Sequence, residues 1–241
     1  MVWEIATAQS LGGRGNQEDG LVVLRSAQDK QLMFAVADGA GGHADGEKAS
    51  SAAIERLKSS FAAAPSDASA AKHWLAKTLT EANRAVSLLG SGATAPRTTV
   101  VVAYIDRNSA IVGHVGDSRL YHFSGSKMAF RTRDHSVVQL LLDIGRLKEN
   151  EMNTHPDRSR LTKALGGDDK LEPDLAELSL ASGDGLAVCS DGVWEHVEAE
   201  EINAALQASA LDVATRQLVE LATARGGSNA DNATLILARL R

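Results

Sequence analysis

The sequence predicts an α+β protein: a four-layer α-β-β-α sandwich of two mainly antiparallel sheets flanked by helix pairs, with a small flap insert. Three observations lead there. Strand-like runs come in blocks interrupted by helix pairs, the order expected of antiparallel sheet covered by helices. The strand candidates are continuously apolar, as two sheets packed together with helices outside would require. Short polar spacers between consecutive strand candidates read as hairpins.

Residues 5–10 and 21–24 read as short strands separated by the turn Leu11-Gly12-Gly13-Arg14-Gly15. Residues 32–37 form an apolar run that ends at Asp38-Gly39, and the Gly-rich segment 40–46 is predicted to be irregular. Helices are expected over 47–63 and 70–89, where Ala53, Leu57 and Phe61, then Leu75, Leu79 and Val86, recur at helical spacing. Gly90-Ser91-Gly92 and Pro96 close that block. The β-branched stretch 98–105 and the runs 111–115, 118–123 and 128–132 read as strands, with hairpins at Asp106-Arg107-Asn108, Gly116-Asp117 and Ser124-Gly125. Residues 134–145 suit a short helix with Val137, Val138, Leu141 and Leu142 on its apolar side. The segment 146–165 shows no clean period and is an irregular insert. Strand returns at 174–180 and 186–190, helix around 211–224, and a last strand at 234–240. With no repeat and no low-complexity linker, the 241 residues are expected to form a single catalytic domain, 1–241, carrying the flap at about 146–165.

Composition narrows the function. The chain is 44% hydrophobic and 23% charged, and with aromatics at 4% Ala, Val and Leu must fill most of the core. Lys and Arg total 25 against 31 acids, a formal charge of −6, which argues against a nucleic-acid partner. Cys189 is the one cysteine, so no internal disulfide forms and a reducing compartment fits. Neither a signal peptide nor an apolar run approaching the ~20 residues of a membrane span is evident, so a cytoplasmic location and no membrane partner are expected.

Four times an apolar stretch or turn presents an acid beside a small residue: Val36-Ala37-Asp38-Gly39, Val115-Gly116-Asp117-Ser118, Cys189-Ser190-Asp191-Gly192 and Asn229-Ala230-Asp231-Asn232. The first three look like strands delivering a carboxylate to one end of a sheet, the fourth like a loop before a strand. Carboxylates gathered this way repel unless something positive sits among them. A hard divalent cation, Mg²⁺ or Mn²⁺, bound through oxygen, would serve, and the residues read as those of a metal-dependent hydrolase.

The ordered set Arg14-x-x-Gln17-Glu18-Asp19, Val36-Ala37-Asp38-Gly39-Ala40-Gly41-Gly42-His43, Gly116-Asp117-Ser118-Arg119, Asp134-His135-Ser136, His155-Pro156, Ser190-Asp191-Gly192 and Asp231-Asn232-Ala233-Thr234 resembles the metal-dependent (type 2C) Ser/Thr protein phosphatases, particularly their compact bacterial members. The resemblance covers essentially the whole chain. It implies that Asp38 bridges two metal ions, Mn²⁺ or Mg²⁺, and that the Gly39 carbonyl ligates one. It further implies that Asp191 and Asp231 hold the first ion and that Glu18 lies near the second. Asp117, together with Asp191, matches the ligand of a third ion, and Arg14 matches the phosphate-binding arginine. The residue types suit the chemistry: Gly39 lets a carbonyl approach without a Cβ in the way, and Arg14 offers a planar fork to phosphate oxygens. The implied activity is hydrolysis of phosphoserine and phosphothreonine on proteins by a metal-activated water, opposing a cognate bacterial Ser/Thr protein kinase.

Some positions stay open. Asp19 reads more readily as a hydrogen-bonding support than as a ligand. Animal relatives carry a His directly after the Asp-Gly; Ala40 stands there, His43 sits three residues on, and the general acid is unidentified. Gln17 replaces the usual Asn, and Arg97 stands where many relatives have Gly before Thr98-Thr99. His135 and His155 read as structural, and Cys189 as a core thiol. A non-catalytic phosphoprotein-binding module and a hydrolase of small phosphoesters are the competing readings. The first is disfavoured by the retained acids and the second by the acidic charge and the lack of a P-loop.

Overall fold

Side-chain alternation along one strand accounts for the layering. In the computed structural model, which describes residues 2–27, 30–40, 44–92, 95–167 and 170–241, strand β1 spans Trp3–Ser10, β2 Asp19–Arg25 and β3 Gln31–Ala40. Along β3, Met33, Ala35 and Ala37 face one way, into a core shared with helices α1 (Ala44–Phe61) and α2 (Ala68–Ser87). Leu32, Phe34 and Val36 face the other way, into a second core that contains no helix. A strand buried on both faces has no room for polar alternation, which is why it reads as one apolar run.

The remaining strands are β4 (Arg97–Thr98), β5 (Val100–Asp106), β6 (Ser109–Val115), β7 (Arg119–Ser124), β8 (Lys127–Arg131), β9 (Asp174–Ser179), β10 (Asp184–Cys189) and β11 (Ala233–Leu240). One sheet has the order β2-β3-β5-β6-β9, with β4 pairing the end of β3; the other has the order β1-β11-β10-β7-β8. Every named pairing is antiparallel. Leu120, Leu186, Val188, Ile236 and Ala238 of the second sheet meet Phe34, Val36, Val101 and Val112 of the first. The outer face of the second sheet, including Tyr121, Ala187, Leu235 and Leu237, packs on helices α5 (Ala199–Leu206) and α6 (Leu211–Gly226) through Ile202, Leu206, Leu218 and Val219. The result is the predicted α-β-β-α sandwich.

Four local expectations change. Gly116-Asp117 does not close a hairpin: β6 and β7 lie in different sheets, so this turn is a crossover. Gly116 makes it with φ +105, and Thr99 side-chain atoms lie 2.6 Å from where a Cβ would stand. The expected strand over 98–105 is broken at Thr99, whose N–H leaves the ladder to donate to the Asp38 carbonyl at 2.8 Å. Strand β3 also runs on to Ala40, because Gly39 and Ala40 pair with Thr98 and Arg97. Helix α3 is the shorter Val137–Asp143, capped by Ser136, whose Oγ accepts from the Gln139 N–H. Within the insert, Glu149–Thr154 forms a 3₁₀ turn, and short bridges tie Leu161 to Ser136 and Leu165 to Thr98.

A buried ion pair fixes the crossover to the second sheet. Arg119, the first residue of β7, donates from Nε to Asp134 Oδ1 at 2.9 Å and from Nη2 to Oδ2 at 2.6 Å. Its guanidinium lies 3.5 Å from the Trp194 ring centre, and Trp194 Nε1 donates to the Asp117 carbonyl at 2.9 Å. Asp134→Ala should therefore cost about 3–5 kcal/mol in urea unfolding, because it strands a buried guanidinium. A loss under ~1 kcal/mol would show that water replaces the carboxylate.

Candidate active site

The same alternation that fills the inter-sheet core delivers acids to one end of it. Leu32, Phe34 and Val36 point between the sheets, so Asp38, two residues on, falls on that face. Leu21 and Val23 of β2 do likewise, which places Asp19 there too, directly opposite Asp38 in the strand register. From the other sheet, β10 and β11 bring Ser190 and Thr234 to the same end. Asp19 Oδ2 accepts from Ser190 Oγ at 2.8 Å and from Thr234 Oγ1 at 2.7 Å, so one carboxylate ties the two sheets together. Asp191 opens the short helix α4 (Asp191–Trp194) immediately after Ser190, and Asp117 sits buried in the crossover turn.

Backbone around Asp38 is held from both sides. Its N–H donates to Thr99 Oγ1 at 3.0 Å, its carbonyl accepts from Thr98 Oγ1 at 2.8 Å, and Thr99 Oγ1 lies 2.7 Å from Ser118 Oγ. Gly39 is enclosed by backbone, since a Cβ there would lie 2.1 Å from the Gly46 carbonyl oxygen. The loop after β1 packs equally tightly on the loop before β11: a Cβ on Gly12 would lie 2.2 Å from the Asp231 carbonyl, and one on Gly13 2.1 Å from that of Ser228. This contact carries Arg14 to Asp231, with Nη2 to Oδ2 at 2.6 Å. Asn232 completes the joint. Its Nδ2 donates to the Leu11 and Asn16 carbonyls, both at 3.0 Å, and its Oδ1 accepts from the Glu18 N–H at 2.7 Å.

The electrostatics follow from crowding. Burial, then the neighbouring Asp191, Asp19 and Asp117, push the Asp38 carboxyl well above the ordinary carboxylate range. Burial, then Asp191 and Asp134, do the same to Asp117. Asp191 is pushed up to about 6 by burial, then by Glu195 and Asp231. Asp19 is raised to about 8 by burial, against the hydrogen bonds from Thr234 and Ser190. Asp191 is the largest charged neighbour raising Asp38, and a proton or a cation between the two carboxyls would relieve that repulsion.

The oxygens fit a hard divalent cation. Asp191 Oδ1 and Asp19 Oδ1 are buried with no hydrogen-bond partner. The Gly39 carbonyl oxygen and Glu18 Oε2 converge on one spot beside Gly46, lying 2.9 and 2.6 Å from where a Cβ on that glycine would stand. The sequence predicts Glu18 and Gly39 but not Gly46, whose meaning appears only when helix α1 folds back onto β3. Asp19 has the hydrogen-bonding place that its motif implied. His43 lies outside the described residues.

A tighter group is found elsewhere. The ligand atoms of His114, His135 and Asp174 lie within 4.8 Å of one another. Its protons disfavour a cation, however. His135 Nδ1 accepts from the Gly116 N–H at 3.0 Å, so the neutral ring carries its proton on Nε2, which faces Asp174 at 3.3 Å. Lys163 Nζ already holds the same Asp174 oxygen at 3.0 Å. His135 therefore buttresses the Gly116-Asp117 crossover. His155 is also structural, its Nδ1 accepting from the Asp157 N–H at 3.1 Å. Cys189 is a buried core thiol.

The flap meets the site at helix α4. Arg158 Nε donates to the Glu195 carboxylate at 3.3 Å, and Asn153 Nδ2 to the Glu195 carbonyl at 3.2 Å.

Known proteins share this architecture. The family described as Protein phosphatase 2C matches residues 16–229. The serine/threonine phosphatase stp of Listeria innocua is 32% identical over 230 residues, 93% of this chain and 90% of its own. The S. agalactiae serine/threonine phosphatase structure superposes with a TM-score of 0.90 at 31% identity, covering 100% of both chains. The catalytic domain of the serine threonine protein phosphatase PstP, solved with two manganese ions, gives 0.80 at 29% identity, over 98% of this chain and 97% of its own. Layering and the cluster of acids at the sheet ends fit the class, a metal-dependent phosphohydrolase scaffold. The chain belongs to the protein phosphatase 2C family. Its activity is that of the family, metal-dependent dephosphorylation of serine and threonine in phosphorylated proteins.

The raised carboxyls set a pH dependence for the metal-stripped protein. With Asp191 at about 6 and Asp19 at about 8 against an ordinary 3.8, the folded state binds more protons than the unfolded chain across that window. Its stability should then fall as pH rises from about 4 to about 8. Thermal melts in chelator at about pH 5 and 8 check this, and equal midpoints would contradict it.

Proposed function

We propose that Asp38, Asp191, Asp231 and the Gly39 carbonyl, with Glu18 directly or through water, hold two divalent ions, Mn²⁺ or Mg²⁺. Asp117, with Asp191, would contribute to a third. The observation that carries this reading is the convergence of Asp38, Asp191 and Asp19 at the meeting edge of the two sheets, with two buried carboxylate oxygens left unpartnered. When bound, such ions lower the pKa of a water and neutralise phosphoryl oxygens for in-line attack.

The chain's own groups do the rest. Asp38, fixed by Thr98 and Thr99, presents its carboxylate from a rigid strand end. Arg14 uses Nη2 on Asp231, and the remaining N–H donors of its fork are free in kind to grip two phosphoryl oxygens. Asp19 holds Ser190 and Thr234, and so positions the residues that follow them, Asp191 above all. The flap, docked through Arg158 on Glu195, is placed to admit or exclude substrate. A cognate Ser/Thr kinase must supply the phosphoproteins consumed. We place the reaction in the cytoplasm: no described helix is long and apolar enough to cross a membrane, and the buried lone thiol suits a reducing compartment. Residues 1–241 act as a single catalytic domain.

The test is hydrolysis of a phosphothreonine peptide by metal-stripped protein with Mn²⁺ or Mg²⁺ added back. Asp38→Asn and Asp191→Asn should each abolish turnover in folded protein, and full activity in either would remove it from the site. Arg14→Ala should raise KM for the phosphopeptide, whereas unchanged kinetics would count against its phosphate role. Gly46→Ala should weaken one ion by roughly tenfold or more in calorimetry, because the methyl fills the space between Gly39 and Glu18. Helix propensity alone favours that alanine by ~1 kcal/mol, so lost affinity cannot be ascribed to a weaker helix.

A further inference from the structure

Starting two residues from Asp38, at Ala40, lies an open groove of about 720 Å³, within the ~300–1,000 Å³ typical of ligand clefts. Its wall begins at Ala40 and Arg97, passes the flap-side residues Thr162 and Lys163, and ends at Lys170 and Glu172. Three cations thus face a single acid among its described lining residues, in a chain whose net charge is −6.

Arg97 is the telling residue. It stands directly opposite Ala40 in the β3–β4 register, and cross-strand partners project from the same face. Ala40 is two residues from Asp38, hence on Asp38's face of the strand. The guanidinium and the carboxylate therefore emerge on one side, about two pleats, or ~7 Å of backbone, apart. Lys163 is already committed to Asp174 and to the Glu172 carbonyl. Arg97 is exposed and has no ion-pair or side-chain hydrogen-bond partner among the described residues. The fold makes no use of its charge, since β4 pairs through backbone.

We propose that this groove is a second-anion subsite. The enzyme selects phosphothreonine or phosphoserine segments that carry another anionic group, carboxylate or phosphoryl, a few residues from the one removed. Arg97 is the specificity-determining residue that binds it. An extended peptide advances ~3.3 Å per residue, so the second anion falls roughly two to four residues away. The inference rests on the acid cluster being the catalytic site.

The test uses phosphothreonine peptides differing at one position, about three residues to either side, in bearing Glu, phosphoserine, Gln or Lys, with phosphate loss at the threonine followed by mass. For the wild-type enzyme with Mn²⁺, kcat/KM for Glu or phosphoserine should exceed that for Gln by roughly five- to tenfold, mainly through KM. The advantage should shrink in about 1 M salt, where the Debye length is ~3 Å. In Arg97→Gln the ratio should drop below about twofold, in Arg97→Lys part should remain, and in Arg97→Glu the Lys peptide should become preferred. A gain for phosphoserine alone identifies the second group as phosphoryl; a gain for both identifies any anion. Equal kcat/KM for all four peptides, or an advantage undiminished in Arg97→Gln, overturns the subsite and leaves the catalytic assignment standing. No hydrolysis of any peptide with either metal overturns both.

Discussion

Several carboxylates are confined where two sheets meet, in a space from which water is largely excluded. Two like charges 4 Å apart repel by ~4 kcal/mol at an effective dielectric constant of 20, a sizeable part of a domain's total stability of ~5–15 kcal/mol. Asp38, Asp117 and Asp191 are all raised, by burial first and by this crowding second. Much of the surrounding structure can be understood as holding them in place against it. Thr98 of β4 and Thr99, between β4 and β5, fasten Asp38, Trp194 fastens the Asp117 carbonyl, and α4 begins with Asp191 itself. A frame stiff enough to resist the repulsion is one in which, on the proposed assignment, a cation would find its ligands already arranged.

The joints of that frame are polar and nearly saturated. Asn232 uses both its amide hydrogens and its oxygen to clamp the loop bearing Arg14 and Glu18 onto the loop bearing Asp231. Asp19 takes two hydroxyls from the opposite sheet on one oxygen. These bonds give orientation that apolar packing, with its tolerance for sliding, would not. Close backbone approaches at Gly12, Gly13 and Gly39 serve the same end, because each brings a carbonyl within reach that any side chain would hold off.

What could be read in advance was what repeats along the chain. The apolar run of β3 already delivered Asp38 to the end of a buried strand, and the helical spacing of Leu75, Leu79 and Val86 gave α2 its buried side. The Gly116-Asp117 turn misled because a glycine turn looks the same whether the flanking strands pair or part company into separate sheets. The broken strand at Thr99 and the cradle beside Gly46 were invisible for a related reason. Both depend on partners some 20 to 60 residues away, at Ser118, Asp38 and Glu18. Asp19 was recognisable as a support from its motif, but its partners Ser190 and Thr234 were not.

The pairing of β1 with β11 carries a consequence for how the molecule comes into being. Ser10 lies opposite Ala233, and the Arg14–Asp231 contact spans 217 positions. Closing so long a loop is a late and slow step in folding. A chain leaving the ribosome from its amino end would hold Arg14, Glu18 and Asp38 long before Asp191 and Asp231 arrive. On the site assignment proposed above, the nascent protein would be a poor trap for a divalent cation, and competence would come abruptly, once β11 slides between β1 and β10.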